Sequence, residues 1–274
     1  MPLSINTNIA SMTAQRSFLN SNSALETAFE RLSTGKRINS AVDDAAGLAI
    51  GTDLTSRVRG LNQAVRNVND GISMLQVTEG TYNEVTTILQ RMRDLAVQGA
   101  TESLSSTETT YLDSEHIKLA SALDTVINQA KFGNTDLIDA TDPLTKVIHA
   151  GADASDTIAI TLSTTDVDNA DGLSVDASDI TIGDAAAITK IDSALDAVAS
   201  HRALLGAQQA QLESTVRNLA NVAENTAAAA GRIMDTDYAA ETANLTKAQI
   251  LQQAATSILA QANAQPQAVL ALLQ

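Results

Sequence analysis

Histidines are the side chains best suited to acid–base or metal chemistry in this 274-residue chain, and there are three: His116, His149 and His201. None has a second histidine at metal-ligand spacing, and neither a His-Glu-x-x-His nor a Gly-x-Ser-x-Gly motif occurs. The absence of cysteine excludes disulfides, thiolate metal sites and a cysteine nucleophile. We therefore predict no catalytic residue, no metal and no cofactor, and we expect His116 and His201 to lie at helix flanks.

Binding of phosphate, nucleic acid or membrane is also disfavoured. Gly47 and Gly51 are the nearest approach to a phosphate loop, but they lack the lysine and the spacing of that motif. A formal net charge of −15 lacks the basic footprint that nucleic acids and anionic membranes require. No run of 18 apolar residues and no secretory signal pattern occurs, so we expect no nucleic acid and no membrane as partner.

The middle of the chain is acidic and has β character. Residues 101–190 carry sixteen acids and four bases, whereas residues 1–100 carry nine of each. All nine acids between 141 and 190 are Asp, which favours turns and strand edges over helix. Alternating Ile158, Ile160 and Leu162 predict a strand over 157–162, and Ile180 with Ile182 a shorter one. These patterns predict a small β-hairpin subdomain.

Apolar residues recur every three to four positions over two long segments. From Ile191 to Ile233, ten of thirteen such positions are apolar, and a 3.5-residue period over this length predicts a coiled coil. The earlier segment starts after a cap-like Ser40, and beyond Leu75 its stripe shifts to a register suited to another neighbour. The predicted coiled-coil seam is Leu54, Val58, Leu61, Val65, Val68, Ile72 and Leu75 with Leu195, Val198, Leu205, Leu212, Val216 and Leu219. The shifted stripe is Val85, Leu89, Met92 and Leu95.

A third helix is indicated by a capping box, Ser105 with Glu108, and we expect it to end near Gly133. The 43 residues from 191 to 233 make a helix roughly 65 Å long, so we predict a mainly α, elongated antiparallel helical bundle or coiled coil. Glycines within the second segment predict close backbone approach or a local bend: Gly60, Gly71 and Gly80.

Both ends of the chain are helical, apolar and poor in charge; from Ala248 onward no charged residue occurs. Such ends suit a protein that covers them in an assembly, and the alternative is a tail docked on its own domain. The residues predicted to mediate self-assembly are Ile5, Ile9, Met12, Phe18, Leu25, Phe29, Leu32, Leu251, Ile258, Leu259, Leu270 and Leu273.

Several motifs near the two ends identify a resemblance to bacterial flagellin, the filament subunit of the flagellum. The motifs lie at residues 4–8 (SINTN), 32–40 (LSTGKRINS), 43–48 (DDAAGL), 67–73 (NVNDGIS), 237–239 (DYA) and 247–254 (KAQILQQA). The likeness covers roughly residues 1–139 and 186–274. Many family members have large outer domains between these parts, so this chain resembles a minimal flagellin without them.

The resemblance implies a structural role: polymerisation of many copies into a helical filament for swimming, outside the cell. It implies inner terminal helices at 1–40 and 236–274 that pair as a coiled coil, middle-layer helices at 41–139 and 186–235, and a β-rich segment at 140–185. It also implies export in an unfolded state, without a cleavable signal, and partners in an export chaperone, the filament cap and hook-junction proteins. The alternative class is a hook–filament junction protein or another secreted coiled-coil adaptor.

One segment resembles the part of some flagellins that a vertebrate innate immune receptor reads. It spans residues 89–98, and the candidate contacts are Gln90, Arg91, Arg93 and Leu95. The alternative is purely structural, because arginines at helical spacing also form solvated faces or ion pairs between subunits.

Overall fold

The computed structural model describes residues 7–101, 103–138, 144–162, 182 and 184–272, without the side chains of 144, 185 and 265–272. This part of the chain is mainly helical. The helices are α1 (Ile9–Thr34), α2 (Ala45–Gly99), α3 (Ser106–Asn128), α4 (Ala185–Met234) and α5 (Tyr238–Leu272). The strands are β1 (Lys131–Phe132), β2 (Thr135–Asp136), β3 (Leu144–His149) and β4 (Thr157–Leu162).

The chain divides into two compact units. Unit 1 comprises residues 1–56 and 225–274, and unit 2 comprises residues 57–224. A mainly α fold with a paired set of terminal helices and a small hairpin confirms the fold class that the sequence predicts. The layer boundaries at 40, 139, 185 and 235 stay predictions.

In unit 1, the two connecting segments next to the terminal helices pair with each other. Helix α1 ends at Gly35, whose φ of 71° lies in the left-handed region that glycine tolerates. An antiparallel bridge joins Lys36 and Asp235, flanked by bonds from Arg37 N to the Met234 carbonyl (2.7 Å) and from Thr236 N to the Gly35 carbonyl (3.0 Å). These backbone bonds hold the end of α1 beside the start of α5.

The start of α2 differs from the prediction. Ser40 does not cap it: its N–H and hydroxyl both donate to the Asp43 carboxylate, and these bonds, with one from Asn39 N, lower the pKa of Asp43. The helix begins at Ala45, where the Asp44 carboxylate accepts from Gly47 N at 2.8 Å. Asp44 directly precedes the first residue of the helix, so its carboxylate, rather than the Ser40 hydroxyl, reaches a free backbone N–H group.

The capping box of α3 is confirmed, but its predicted end is wrong. The Ser105 hydroxyl accepts from Glu108 N, and the Glu108 carboxylate accepts from Ser105 N at 2.8 Å, which lowers the pKa of Glu108. The helix ends at Asn128 rather than near Gly133. Gly133, with φ of 63°, instead forms the turn between β1 and β2, which needs a left-handed residue.

The predicted strand over 157–162 is β4, and it pairs antiparallel with β3 along its whole length. The sequence did not predict β3. The hairpin is held in unit 2 by side-chain bonds from two helices: Asn67 on α2 donates to the His149 carbonyl (3.3 Å) and Gln208 on α4 to the Thr161 carbonyl (3.1 Å). Ile182 is buried but lies in a turn, and Ile180 falls outside the described residues.

The core of unit 2 lies where α2, α3, α4 and the hairpin meet. The shifted stripe of α2 that starts at Val85 is buried in it, and a change of packing neighbour along the helix stays a prediction. The largest side chains less than 2% exposed in this core are Tyr82, Leu75, Leu89, Met92, Leu95, Leu123, Leu137, Ile160 and Leu162. None of the helices in the described ranges combines the length and apolar character that crossing a bilayer requires.

Two of the three α2 glycines singled out from the sequence, Gly60 and Gly71, lie where other atoms approach the backbone closely. A Cβ atom at Gly60 would lie 3.3 Å from the Ala152 backbone, and one at Gly71 would overlap the Ile148 side chain. The prediction of close approach is therefore confirmed for these two. At Gly80 a Cβ atom would meet no atom within 4 Å, so close approach does not apply there and the local bend stays a prediction.

Candidate functional site

The terminal helices α1 and α5 pack against each other in antiparallel orientation, and small residues form most of their seam. The residues of α1 that this contact buries are Ser11, Ala14 and Ala28. On α5 the buried positions recur every seven residues: Glu241, Ala248, Ala255 and Ala262. A seven-residue repeat keeps one stripe facing the partner helix, and small side chains let the two backbones come close.

Polar side chains fix the register of this pair. Asn8 Nδ2 donates to the Ala262 carbonyl at 2.8 Å, and the Ser11 hydroxyl donates to Asn263 Oδ1 at 2.9 Å. Halfway along, Gln252 Nε2 donates to Asn22 Oδ1 at 3.1 Å. The directed bonds allow one alignment of the helices, a choice that alanines alone would leave open.

The large apolar side chains of the pair lie mostly on its outside. Ile9 and Leu19 are each 66% exposed, and the other exposed ones are Met12, Phe29, Tyr238, Ile250, Leu251 and Ile258. Exposed apolar side chains concentrated in one part of a molecule are typical of surfaces that contact other proteins.

The residues predicted for self-assembly fall into three groups. Exposed are Ile9, Met12, Phe29, Leu251 and Ile258; half-buried beside the seam are Phe18, Leu25, Leu32 and Leu259. Outside the described residues or side chains are Ile5, Leu270 and Leu273. The alanine seam was not predicted from the sequence. The pattern that indicates it is the seven-residue spacing of Ala248, Ala255 and Ala262.

The predicted coiled-coil seam contains both buried and half-buried positions. The buried ones are Leu61, Val68, Leu75, Val198, Leu205, Leu212 and Leu219. The half-buried ones are Leu54, Val58, Val65, Ile72, Leu195 and Val216. Within unit 2 the seam residues from Leu61 to Leu75 and from Leu195 to Leu219 lie in, or pack against, one continuous core.

The histidines do not form a site. His116 is fully buried rather than at a helix flank, because α3 turns that side into the core of unit 2, and neither ring nitrogen has a hydrogen-bond partner among the described residues. Burial lowers the pKa of His116 while Asp113 acts to raise it. His201 stacks on Tyr82 with ring centroids 6.0 Å apart, and burial lowers the pKa of His201 and raises that of Tyr82. No cluster of three potential metal ligands occurs in the described ranges.

Family models account for the two helical parts of the chain. The model of the bacterial flagellin N-terminal helical region matches residues 5–142, and that of the C-terminal helical region matches residues 188–273. This chain belongs to the bacterial flagellin family.

Full-length flagellins are similar to the chain from end to end. A flagellin of Halalkalibacterium halodurans is 42% identical over 98% of this chain and 99% of its own length. Flagellin D of Vibrio cholerae is 35% identical over the whole of both chains, in an alignment of 377 positions that exceeds the 274 residues here. A crystal structure of Bacillus cereus flagellin is 29% identical, covers 60% of this chain and 94% of that one, and superposes with a TM-score of 0.48.

The candidate receptor segment of this flagellin family member lies on α2, with two sides of different character. Arg91 pairs with Glu115 on α3 at 2.6 Å, and Arg93 pairs with Asp192 on α4 at 2.6 Å. The second pair raises the pKa of Arg93 and lowers that of Asp192. Gln90 and both arginines are exposed, whereas Leu95 is 1% exposed and packs in the core. Any protein that binds this surface contacts the polar side of the helix.

Proposed function

We propose that this chain is the structural subunit of a flagellar filament, in which many copies polymerise helically outside the cell for swimming. The observation that carries the proposal is the small-residue seam of the terminal helix pair, with its large apolar side chains turned outward. Membership of the flagellin family supports the same conclusion.

The energetics of the pair favour contact with further copies. Fully burying a Leu, Ile, Met or Phe side chain contributes about 1.5–3 kcal/mol, whereas each methyl-sized group contributes about 0.8 kcal/mol. The alanines of the seam therefore stabilise the isolated pair weakly. More is gained when Leu19, Ile250 or Ile258 is covered by a neighbour. Subunits joined head to tail through two different faces form an open helix when the rotation between neighbours does not close into a ring.

The remaining roles follow from family membership. We propose secretion to the outside of the cell, an export chaperone, the filament cap and hook-junction proteins as partners, and no catalytic activity. The exposed polar side chains at Gln90, Arg91 and Arg93 support an innate immune receptor as a further partner. Because the Vibrio alignment is longer than this chain, we also propose a minimal filament subunit without large outer domains.

Polymerisation of purified protein tests the proposal. Leu19→Asn and Ile258→Asn remove exposed apolar side chains that make no contribution to the alanine seam, and each should raise the concentration needed for filaments by about tenfold or more. Gln249→Asn is the matched control, an exposed polar position on α5. Sedimentation and negative-stain microscopy give the readout. Discrete particles without filaments from the unaltered chain would favour the junction or adaptor class instead.

A further inference from the structure

A groove runs along one side of the terminal pair, and it is positively charged at one end. It has a volume of about 470 Å³, and the residues that define it are Ala24, Thr27 and Arg31 on α1 with Asn244, Lys247 and Leu251 on α5. Two cations, Arg31 and Lys247, lie beside one carboxylate, that of Glu241. The Arg31–Glu241 separation is 3.9 Å, and Arg31 Nε is buried without a hydrogen-bond partner among the described residues.

A ridge of the opposite character lies on another side of α1. Met12, Leu19 and Glu26 are seven residues apart, so they share one side of the helix, and all three are exposed. Glu26 and Ala24 are two residues apart, which turns them about 200° from each other around the helix axis. The ridge therefore faces away from the groove of its own chain.

We propose that the groove of one copy receives the ridge of a second copy, with Glu26 of that copy approaching Lys247 and Arg31. The inference rests on the proposed function and deepens it, because it assigns two specific faces to one contact. Leu251 offers the apolar wall for Met12 and Leu19, and the Glu26 carboxylate balances the two cations that line the groove.

Charge complementarity selects a second copy as the occupant. Within the described residues, Lys247 makes no ion pair or hydrogen bond, and Glu26 bonds only to Asn22 on its own helix, at 2.9 Å. Both charges are therefore available to a neighbour without breaking a contact inside the chain. Since groove and ridge are different faces of the same chain, every copy can use both at once, and the contact can repeat from copy to copy along a filament.

Charge reversal on the full chain tests the contact. Lys247→Glu and Glu26→Lys each place like charges together, and each should raise the critical concentration for polymerisation by about tenfold. The double variant restores opposite charges across every contact, because each copy carries both changes, and its critical concentration should return to within about threefold of the unaltered chain. Lys118→Glu, on an exposed lysine of α3, is the control for the change in net charge.

Two outcomes would overturn the inference. If either single reversal polymerises no worse than the Lys118→Glu control, the groove and the ridge do not meet. If both singles fail and the double variant fails equally, the two faces matter but bind other partners. Filaments of the unaltered chain in the same assay keep the proposed function intact in both cases, whereas their absence would count against that function itself.

Discussion

At the residue scale, side chains on the same turn of α2 differ strongly in how far they are buried. Leu95 is 1% exposed in the core of unit 2, whereas Val97, two residues later, is 47% exposed. The stretch of α2 from Gln90 to Val97 therefore has one side exposed to solvent, with Gln90, Arg91 and Arg93, and another side buried in the core, with Leu95. Changes within this stretch must therefore be separated into those that alter the surface and those that alter the fold.

Leu95→Ala should lower the free energy of unfolding by about 2–5 kcal/mol, because it leaves a cavity among buried side chains. Val97→Ala is the matched control and should change it by less than about 0.5 kcal/mol, as exposed substitutions do. Urea denaturation followed by circular dichroism measures both. Equal effects of the two substitutions would contradict the placement of Leu95 in the core.

His116 should make stability depend on pH. Burial lowers its pKa in the folded state below the ordinary 6.5, so the unfolded chain binds the proton more readily. The free energy of unfolding should therefore fall as the pH drops below about 6.5, and it should level off below the folded pKa, with a slope of at most about 1.4 kcal/mol per pH unit from this group.

His116→Leu should flatten that slope, and it should leave stability near neutral pH unchanged or higher, because neither ring nitrogen has a partner to lose. Urea denaturation at about pH 7.5 and about pH 5.5 measures the difference between variant and unaltered chain. Part of the slope should remain, since burial lowers the pKa of His201 as well. An unchanged slope in the variant would contradict the assignment.

At the element scale, two glycines of α2 have different surroundings. Gly71 lies under the β3–β4 hairpin, where a Cβ atom would overlap the Ile148 side chain. Gly80 lies on the same helix with open space around it. Gly71 therefore allows the hairpin to pack closely on α2, whereas Gly80 only lowers the stability of the helix relative to alanine.

Gly80→Ala should raise the free energy of unfolding by about 1 kcal/mol, since alanine has the higher helix propensity and meets no obstacle. Gly71→Ala should lower it by about 1–3 kcal/mol, because overpacking against the hairpin outweighs the same propensity gain. Thermal or urea denaturation of the two variants gives the comparison. Stabilisation by both substitutions would show that the hairpin does not pack closely on α2.

At the scale of the whole molecule, the ends of the chain meet in one unit while the middle builds another. The core of unit 2 is made from residues 61–223, so it does not depend on α5. The antiparallel pairing of α1 with α5, in contrast, needs residues more than 200 positions apart. Folding of unit 2 and pairing of the terminal helices in unit 1 therefore depend on different parts of the chain.

Removal of residues 245–274 tests this separation. The shortened chain loses the seam alanines from Ala248 onward and should form no filaments under conditions where the full chain does. Its unit 2 should still unfold cooperatively on heating, followed by circular dichroism. Polymerisation as readily as the intact chain would contradict the role of the terminal pair.

Much of the architecture was predictable from local patterns. The seam from Ile191 onward, the shifted stripe from Val85 and the capping box at Ser105 are all encoded within a few helical turns, where 3.6-residue periodicity and side-chain hydrogen bonding decide the outcome. The alternation at Ile158 likewise predicted β4. The resemblance to flagellin motifs added the pairing of the terminal helices.

Other features depend on which parts of the chain pack against each other, and only the tertiary structure decided them. Strand β3 exists because β4 and the Asn67 side chain of α2 give a poorly patterned segment its hydrogen-bond partners. His116 is buried because α3 turns that side into the core, and Ile9 and Leu19 are exposed because alanines occupy the seam between α1 and α5. Periodicity determines which residues share a stripe, but only the close approach permitted by small side chains decides which stripe is covered.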